Sequence, residues 1–151
     1  MMNEKMLYII KIISIHIIGC ILCASQAYIS MYEFNDQISS ICIRCSYTKD
    51  VLYASFSFYF FFLFTYLLFF LFVRLLSRGK KLHKVIPIML IYVITCFVTN
   101  YDIFYTRVSS WSTFTTVDEL LWTVYKSFIE VTITAVIFYL LIRRYIAQGG
   151  I

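Results

Sequence analysis

Long uninterrupted runs of apolar residues alternate with short polar segments along this chain. Residues 51–73 and 85–101 contain no charged side chain, and the runs 6–28 and 120–142 contain only isolated ones. A helix needs about 20 apolar residues to cross the hydrocarbon core of a bilayer. A helix also satisfies its own backbone in lipid, whereas barrel strands alternate apolar and polar residues, which these runs do not. The pattern therefore predicts four membrane-spanning helices.

These runs predict an all-α fold, an integral membrane four-helix bundle in which residues 1–151 form a single domain. The helices are expected at about 6–28, 51–75, 85–101 and 119–143. The connections between them are expected as two loops on one side, 29–50 and 102–118, and one loop on the other side, 76–84.

The composition supports a membrane protein. Hydrophobic residues make up 62% of the chain and charged residues 14%, whereas soluble domains average about 45–50% and about 25%. A soluble globular enzyme is therefore excluded. The formal net charge of +5 at pH 7 does not predict a nucleic-acid partner, because its distribution along the chain has another explanation.

The positive charges mark one side of the predicted bundle. Five of them lie between the second and third helices without an acid, at Arg74, Arg78, Lys80, Lys81 and Lys84. Lysine and arginine in short loops stay in the cytoplasm and favour contact with lipid headgroups. We therefore expect both termini to be cytoplasmic and the protein to be a multi-pass membrane protein.

Two cysteines, Cys42 and Cys45, lie in the predicted outer loop just before the second helix. Neighbouring thiols on an oxidising side of a membrane tend to pair, and the nearby Arg44 and Lys49 favour the thiolate. The spacing predicts a structural or redox disulfide. A metal site is not expected, because the outer loops contain no second pair of cysteine or histidine ligands.

The run from Cys42 to Lys49 resembles the C-x-x-C-x-Tyr-x-Arg/Lys motif of the DsbB family. Those proteins are four-helix inner-membrane enzymes that pass electrons from a soluble partner to quinone. The resemblance implies that Cys42 and Cys45 are the catalytic pair, that quinone is the cofactor and that Lys49 supports the pair. The family's second cysteine pair has no counterpart in residues 102–119.

Polar residues recur at helical spacing in the fourth predicted helix and form one stripe. Its members are Thr123, Lys126, Ser127, Glu130 and Thr134. A charge at the bilayer centre costs about 2.5 kcal/mol or more, so intramembrane charges usually face the bundle interior and pair. Lys126 and Glu130 are one turn apart, and we expect them to form an ion pair. The stripe either locks the helix in register or forms a recognition or proton-handling site within the membrane.

The third predicted helix begins Pro87-Ile-Met-Leu-Ile-Tyr92 and ends Cys96-Phe-Val-Thr-Asn-Tyr-Asp102. This order is similar to the Pro…Tyr…Cys-Phe…acidic pattern of the immunity proteins of pore-forming colicins, of the A and N type. Those are small four-helix inner-membrane proteins with cytoplasmic termini and a basic loop between helices two and three. The resemblance implies that the chain blocks a toxin's pore by intramembrane helix contacts. The family's Thr-Ala-Pro at the start of its second helix is absent here.

The leading hypothesis is a small inner-membrane protein that acts by contact with a membrane-inserted protein partner. Its most specific form is an immunity or exclusion protein of a plasmid or phage, which needs no cofactor and no catalytic residues. The polar stripe would then supply the binding residues. The alternatives are a DsbB-like thiol-disulfide oxidoreductase and a small non-catalytic subunit of a membrane complex.

Overall fold

The computed structural model describes residues 4–38, 46–60, 82–108 and 115–147, and no strand occurs within these ranges. The long helices are α1 (Glu4–Ser30), α2 (47–60), α3 (Leu82–Arg107) and α4 (Thr116–Ala147). A short 3₁₀ helix, Tyr32–Phe34, follows α1. The all-α prediction is confirmed, while the predicted continuation of α2 to residue 75 lies outside the described residues.

Three of these helices are long and apolar enough to cross a bilayer. The qualifying segments are Ile13–Ser30, Val85–Arg107 and Thr116–Arg144. The described part of α2 is shorter than the roughly 20 residues that a crossing needs. The structure therefore supports a multi-pass membrane protein with three candidate spans among its described residues.

Helices α3 and α4 run antiparallel. Tyr92, early in α3, stacks on Phe138, late in α4, with their ring centroids 4.3 Å apart. Near the other ends of these helices, the Tyr101 hydroxyl donates a hydrogen bond of 3.2 Å to a carboxylate oxygen of Glu119. The end of the bundle near Tyr101, which also carries the 3₁₀ helix, is called the loop end below.

A reciprocal amide pair joins α1 to α3, and these two helices run parallel. Asn100 Nδ2 donates to Gln26 Oε1 at 2.9 Å, and Gln26 Nε2 donates to Asn100 Oδ1 at 3.3 Å. Ser30 Oγ also donates to Asn100 Oδ1, and Cys23 Sγ lies 3.7 Å from Thr99 Oγ1. Both amides are fully buried. Since lipid offers them no water, the pair fixes the register of α1 against α3.

Two apolar clusters pack on either side of this amide pair along the helices. The cluster farther from the loop end consists of Ile15, Cys23, Val85, Ile88, Tyr92, Cys96, Val131, Phe138 and Ile142. The cluster at the loop end consists of Ala27, Met31, Tyr47, Val51, Ala54, Ile103 and Phe104. The core therefore draws on all four helices.

Helix α2 packs closely against α1 at Gly19. A Cβ atom at this position would overlap the Tyr59 hydroxyl of α2 and touch the Phe138 ring of α4. The His16 ring, one turn earlier, meets the Tyr59 ring edge-on at a centroid distance of 6.4 Å. Small residues allow this kind of approach between membrane helices, so Gly19 sets the spacing of three helices.

Several helix ends differ from the predicted boundaries. Helix α3 continues to Arg107, although residues 102–118 were expected as loop, and α2 begins at residue 47 within the expected loop 29–50. Likewise, residues 82–84 of the expected loop 76–84 belong to α3. Charged residues marked the predicted ends, but α3 continues past Asp102 to Arg107, which is paired with Asp50 and therefore does not terminate the helix. Thr115 then starts α4, because its hydroxyl accepts a hydrogen bond of 3.3 Å from the Asp118 amide as an N-cap.

Replacing Gly19 with valine should destabilise the bundle by about 1–3 kcal/mol, since overpacking forces shifts in neighbouring aromatic side chains. The free energy of unfolding in detergent micelles measures this loss. Ser25→Val on the exposed side of α1 serves as the control and should change stability by less than about 0.5 kcal/mol. Equal stability of the two variants would contradict the close contact at Gly19.

Candidate functional site

A buried arginine joins α3 to α2 at the loop end. The side chain of Arg107 is 1% exposed, and its Nη2 lies 2.8 Å from Asp50 Oδ2. Its Nε donates a second hydrogen bond, of 3.0 Å, to the same oxygen. A buried charge needs both a counter-ion and hydrogen bonds, and Asp50 supplies the counter-ion.

The same guanidinium also fixes the segment after α1. Arg107 Nη1 donates hydrogen bonds to the carbonyl oxygens of Phe34 at 3.3 Å, Asn35 at 3.2 Å and Gln37 at 2.6 Å. These carbonyls surround the group because the 3₁₀ helix turns the chain over the end of α3. A cation in the last turn of α3 is also favoured by the helix dipole. Arg107 therefore connects α2, α3 and the first connection.

Tyr47 extends this arrangement to α1. The Arg107 guanidinium carbon lies 5.2 Å from the centre of the Tyr47 ring, a cation–π contact. The Tyr47 hydroxyl donates to the carbonyl oxygens of Tyr28 at 2.8 Å and Ala27 at 3.2 Å in the last turn of α1, and the Ala27 carbonyl also accepts from the Met31 amide at 3.1 Å. Burial raises the pKa of the Tyr47 phenol, so the hydroxyl remains a proton donor.

An aromatic cluster holds the 3₁₀ helix against α3 and α4. The Phe34 ring centroid lies 5.5 Å from that of Phe104 and 5.3 Å from that of Trp122, and the Phe104 and Trp122 rings stack at 4.9 Å. Such aromatic pairs add about 0.5–1.5 kcal/mol beyond the area they bury. The first connection is therefore an ordered cap on the loop end over residues 31–38.

Lys126 pairs with Glu33 and not with Glu130 as the sequence predicted. Its Nζ lies 2.6 Å from Glu33 Oε2 and 5.1 Å from the centre of the Trp122 ring. Side chains on a helix point towards its N-terminus, and the N-terminus of α4 is at the loop end. The long lysine side chain therefore extends away from Glu130 and towards the partly solvated cap.

The three hydroxyls of the predicted stripe face the bundle interior. Thr123 donates to the carbonyl oxygen of Glu119, Ser127 to that of Thr123 and Thr134 to that of Glu130, at 2.7, 2.7 and 2.9 Å. All three side chains are buried. Because their protons are used within α4, these residues support packing of the interior.

Glu130 differs from the other members of the stripe. Its side chain is partly exposed, yet Oε2 is buried and has no hydrogen-bond partner among the residues that the structure describes. The stripe is thus divided: the hydroxyls lie inside the bundle, Lys126 is bound at the loop end, and Glu130 lies at the edge of the interior.

The predicted cysteine pair, Cys42 and Cys45, lies outside the described residues, so its disulfide and the quinone that the resemblance implies remain predictions. Cys20, Cys23 and Cys96 are free thiols within the helices. No cluster of His, Cys, Asp or Glu able to hold a metal ion occurs in the described part of the chain.

Sequence reasoning missed the groups at the loop end. Arg107 and Asp50 are separated by more than fifty positions, and both lie in segments that the sequence predicted as loops, 102–118 and 29–50. The sequence did contain one signal, which is the position of these two residues. Asp50 and Arg107 carry opposite charges and lie outside the ends of predicted spans, and Tyr47 lies about one turn before Asp50.

Comparison with known proteins adds no relationship. No protein-family profile, no curated protein and no solved structure matches this chain.

Replacing Arg107 with leucine should lower the free energy of unfolding by about 3–5 kcal/mol, the usual cost of breaking a buried ion pair by removing one partner. Asp50→Ala should cost a similar amount because it leaves the arginine buried without its counter-ion. Chemical denaturation in micelles provides the measurement. The exposed neighbour Lys49 gives a matched control, and Lys49→Gln should remain within about 0.5 kcal/mol of the unchanged protein. A loss no larger than that of the control would contradict the assigned role of Arg107.

Proposed function

We propose that this protein acts by direct contact with another protein inside a bacterial inner membrane, and specifically as an immunity or exclusion protein that blocks a pore-forming toxin. The observation that supports the proposal is the distribution of polar groups in the bundle. The Gln26–Asn100 pair, the α4 hydroxyls and Arg107 bond within the protein, which leaves the lipid-facing surface available for interaction.

That surface is broad and apolar. Along α4, side chains such as Leu121, Tyr125, Ile129 and Ile133 are each more than half exposed. Lipid covers such faces in a monomer, and another membrane helix can replace the lipid with little change in hydrophobic free energy. A bundle with accessible helical faces is suited to recognising a toxin helix within the membrane.

The proposal includes the orientation that the charge distribution predicts. Reporter domains fused after Ser40, Lys80, Ser110 and Gly150 should lie outside, inside, outside and inside the cell, respectively, because the basic loop stays in the cytoplasm. Paired periplasmic and cytoplasmic reporters provide the measurement. Any other order would contradict the four-span arrangement with cytoplasmic termini.

Bacteria that produce the protein should survive a pore-forming colicin of the A or N type that kills cells lacking it. Survival measures protection of the cells, and retention of cellular potassium shows whether the pore itself is blocked. Toxins that enter the same cells but act as nucleases supply a control, and they should kill both strains equally. Full killing by every pore-forming toxin in cells whose membranes contain the protein would contradict the immunity proposal.

The same assay separates contact from thiol chemistry. Replacing Cys42 and Cys45 together with serine should leave protection unchanged, since a surface contact needs no electron transfer. Loss of protection, together with a mixed disulfide to a soluble protein in the unchanged strain, would instead favour the DsbB-like alternative.

A further inference from the structure

An ion pair at the surface of the loop end is accessible from outside the bundle. Lys126 Nζ lies 2.6 Å from Glu33 Oε2, and the two side chains are 34% and 43% exposed. The ring of Trp122, itself partly exposed, lies with its centre 5.1 Å from Nζ. These three residues are called the ion-pair site below. A molecule beside the protein can reach them without opening the bundle.

The ion-pair site lies at the level of the lipid headgroups. Arg143 and Arg144 are exposed at the other end of α4, where basic residues mark the edge of the bilayer. At 1.5 Å per residue, about 25 Å of helix separates Lys126 from Arg143, and the hydrocarbon core is about 30 Å thick. The lysine side chain points towards the N-terminus of α4 and covers the remaining distance. Helix α1 gives the same level independently, because its candidate span ends at Ser30, just before Glu33.

Both charged groups have bonding capacity that the protein does not use in its described ranges. A lysine ammonium has three N–H donors, and a carboxylate accepts at both oxygens. Among the described residues, Nζ donates one hydrogen bond, to Glu33 Oε2, and Glu33 Oε1 accepts none. The site therefore presents a cationic donor beside an anionic acceptor at a depth where lipid headgroups are the neighbouring polar groups.

A headgroup with a phosphate and a primary amine matches this pair of charges. Its phosphate can accept a hydrogen bond from Lys126, while its ammonium donates to Glu33. A trimethylammonium headgroup has no N–H to donate to the carboxylate. An anionic headgroup without an amine can bind Lys126 but is repelled by Glu33.

We propose that Glu33, Lys126 and Trp122 form a binding site for an aminophospholipid, with the lipid phosphate on Lys126 and its ammonium on Glu33. The acyl chains would lie along the exposed apolar side chains of α4 below the site, such as Ile129 and Ile133. This lipid site goes beyond the toxin contact proposed above and does not depend on it.

Trp122 provides the measurement, because lipids with brominated acyl chains quench the fluorescence of a nearby tryptophan. The full-length protein carries Trp111→Phe, so that Trp122 is its only tryptophan. It is reconstituted in phosphatidylcholine vesicles with a minor share of brominated phosphatidylethanolamine, phosphatidylcholine or phosphatidylglycerol. Phosphatidylethanolamine should bind about three- to ten-fold more tightly than phosphatidylcholine, as one additional hydrogen bond allows. Equal quenching by all three lipids, or strongest quenching by phosphatidylglycerol, would overturn the proposal.

Substitutions at the two charges locate the effect. Glu33→Gln should make phosphatidylglycerol the most tightly bound lipid, because Lys126 then acts without a neighbouring negative charge. Glu33→Gln combined with Lys126→Met should bind the three lipids equally. Asp36→Asn, at an exposed acid of the same connection, is the matched control and should keep the preference for phosphatidylethanolamine. A preference that survives in the double variant would overturn the assignment.

The same samples separate lipid binding from a structural role of the ion pair. Exposed ion pairs contribute little to stability, so Glu33→Gln should unfold at the same temperature as Asp36→Asn in micelles, and its Trp122 emission should keep its wavelength. A markedly lower unfolding temperature, or a shift of the emission to the red, would show that the pair holds the connection in place and would overturn the lipid-binding role.

A soluble competitor distinguishes the lipid from a free phosphorylated amine. Excess phosphoethanolamine in the aqueous phase should leave the quenching unchanged, because the acyl chains hold the lipid headgroup at this level. Loss of quenching on its addition would assign the site to a soluble ligand and overturn the lipid form of the proposal.

Discussion

The loop end of the bundle is organised around one buried cation, Arg107, which needs a counter-ion and hydrogen-bond partners. Arg107 lies almost without solvent contact at the end of α3, and Asp50, three backbone carbonyls and the Tyr47 ring surround it. These partners come from two parts of the chain, α2 and the segment after α1, so a guanidinium that is costly when unpaired holds α2, α3 and the first connection together. Tyr47 then binds the carbonyls near the end of α1.

Away from the loop end, the helices pack by the interactions that are effective in lipid. Apolar surface gives little attraction between helices where the solvent is itself apolar, so close packing and hydrogen bonds set the contacts. Gly19 allows α1 and α2 to approach closely. The Gln26–Asn100 hydrogen bonds fix the register of α1 against α3, because lipid offers no water to replace them. Among the described residues, most buried polar side chains consequently have hydrogen-bond partners, and Glu130 Oε2 is one of three buried atoms that have none.

The fourth helix shows which features of the structure the residue pattern alone could predict. The spacing of Thr123, Ser127 and Thr134 predicted one interior face, and their burial confirms it. The predicted Lys126–Glu130 pair was wrong, because adjacency on a helix ignores the direction in which side chains point and the cap that brings Glu33 within reach. A long side chain near a helix end has several possible partners, and local spacing does not choose among them.

Hydrophobic run lengths by themselves determined the class of protein, the helical fold and the approximate position of each described helix, because lipid allows few structures to cross it. Charge placement gave an orientation that remains a prediction. The tertiary structure decided which charges are buried, where α3 ends and that no described residue bonds to the buried oxygen of Glu130. Those facts depend on contacts between residues far apart in the chain, such as Asp50 with Arg107, and sequence periodicity carries no information about pairing at that distance.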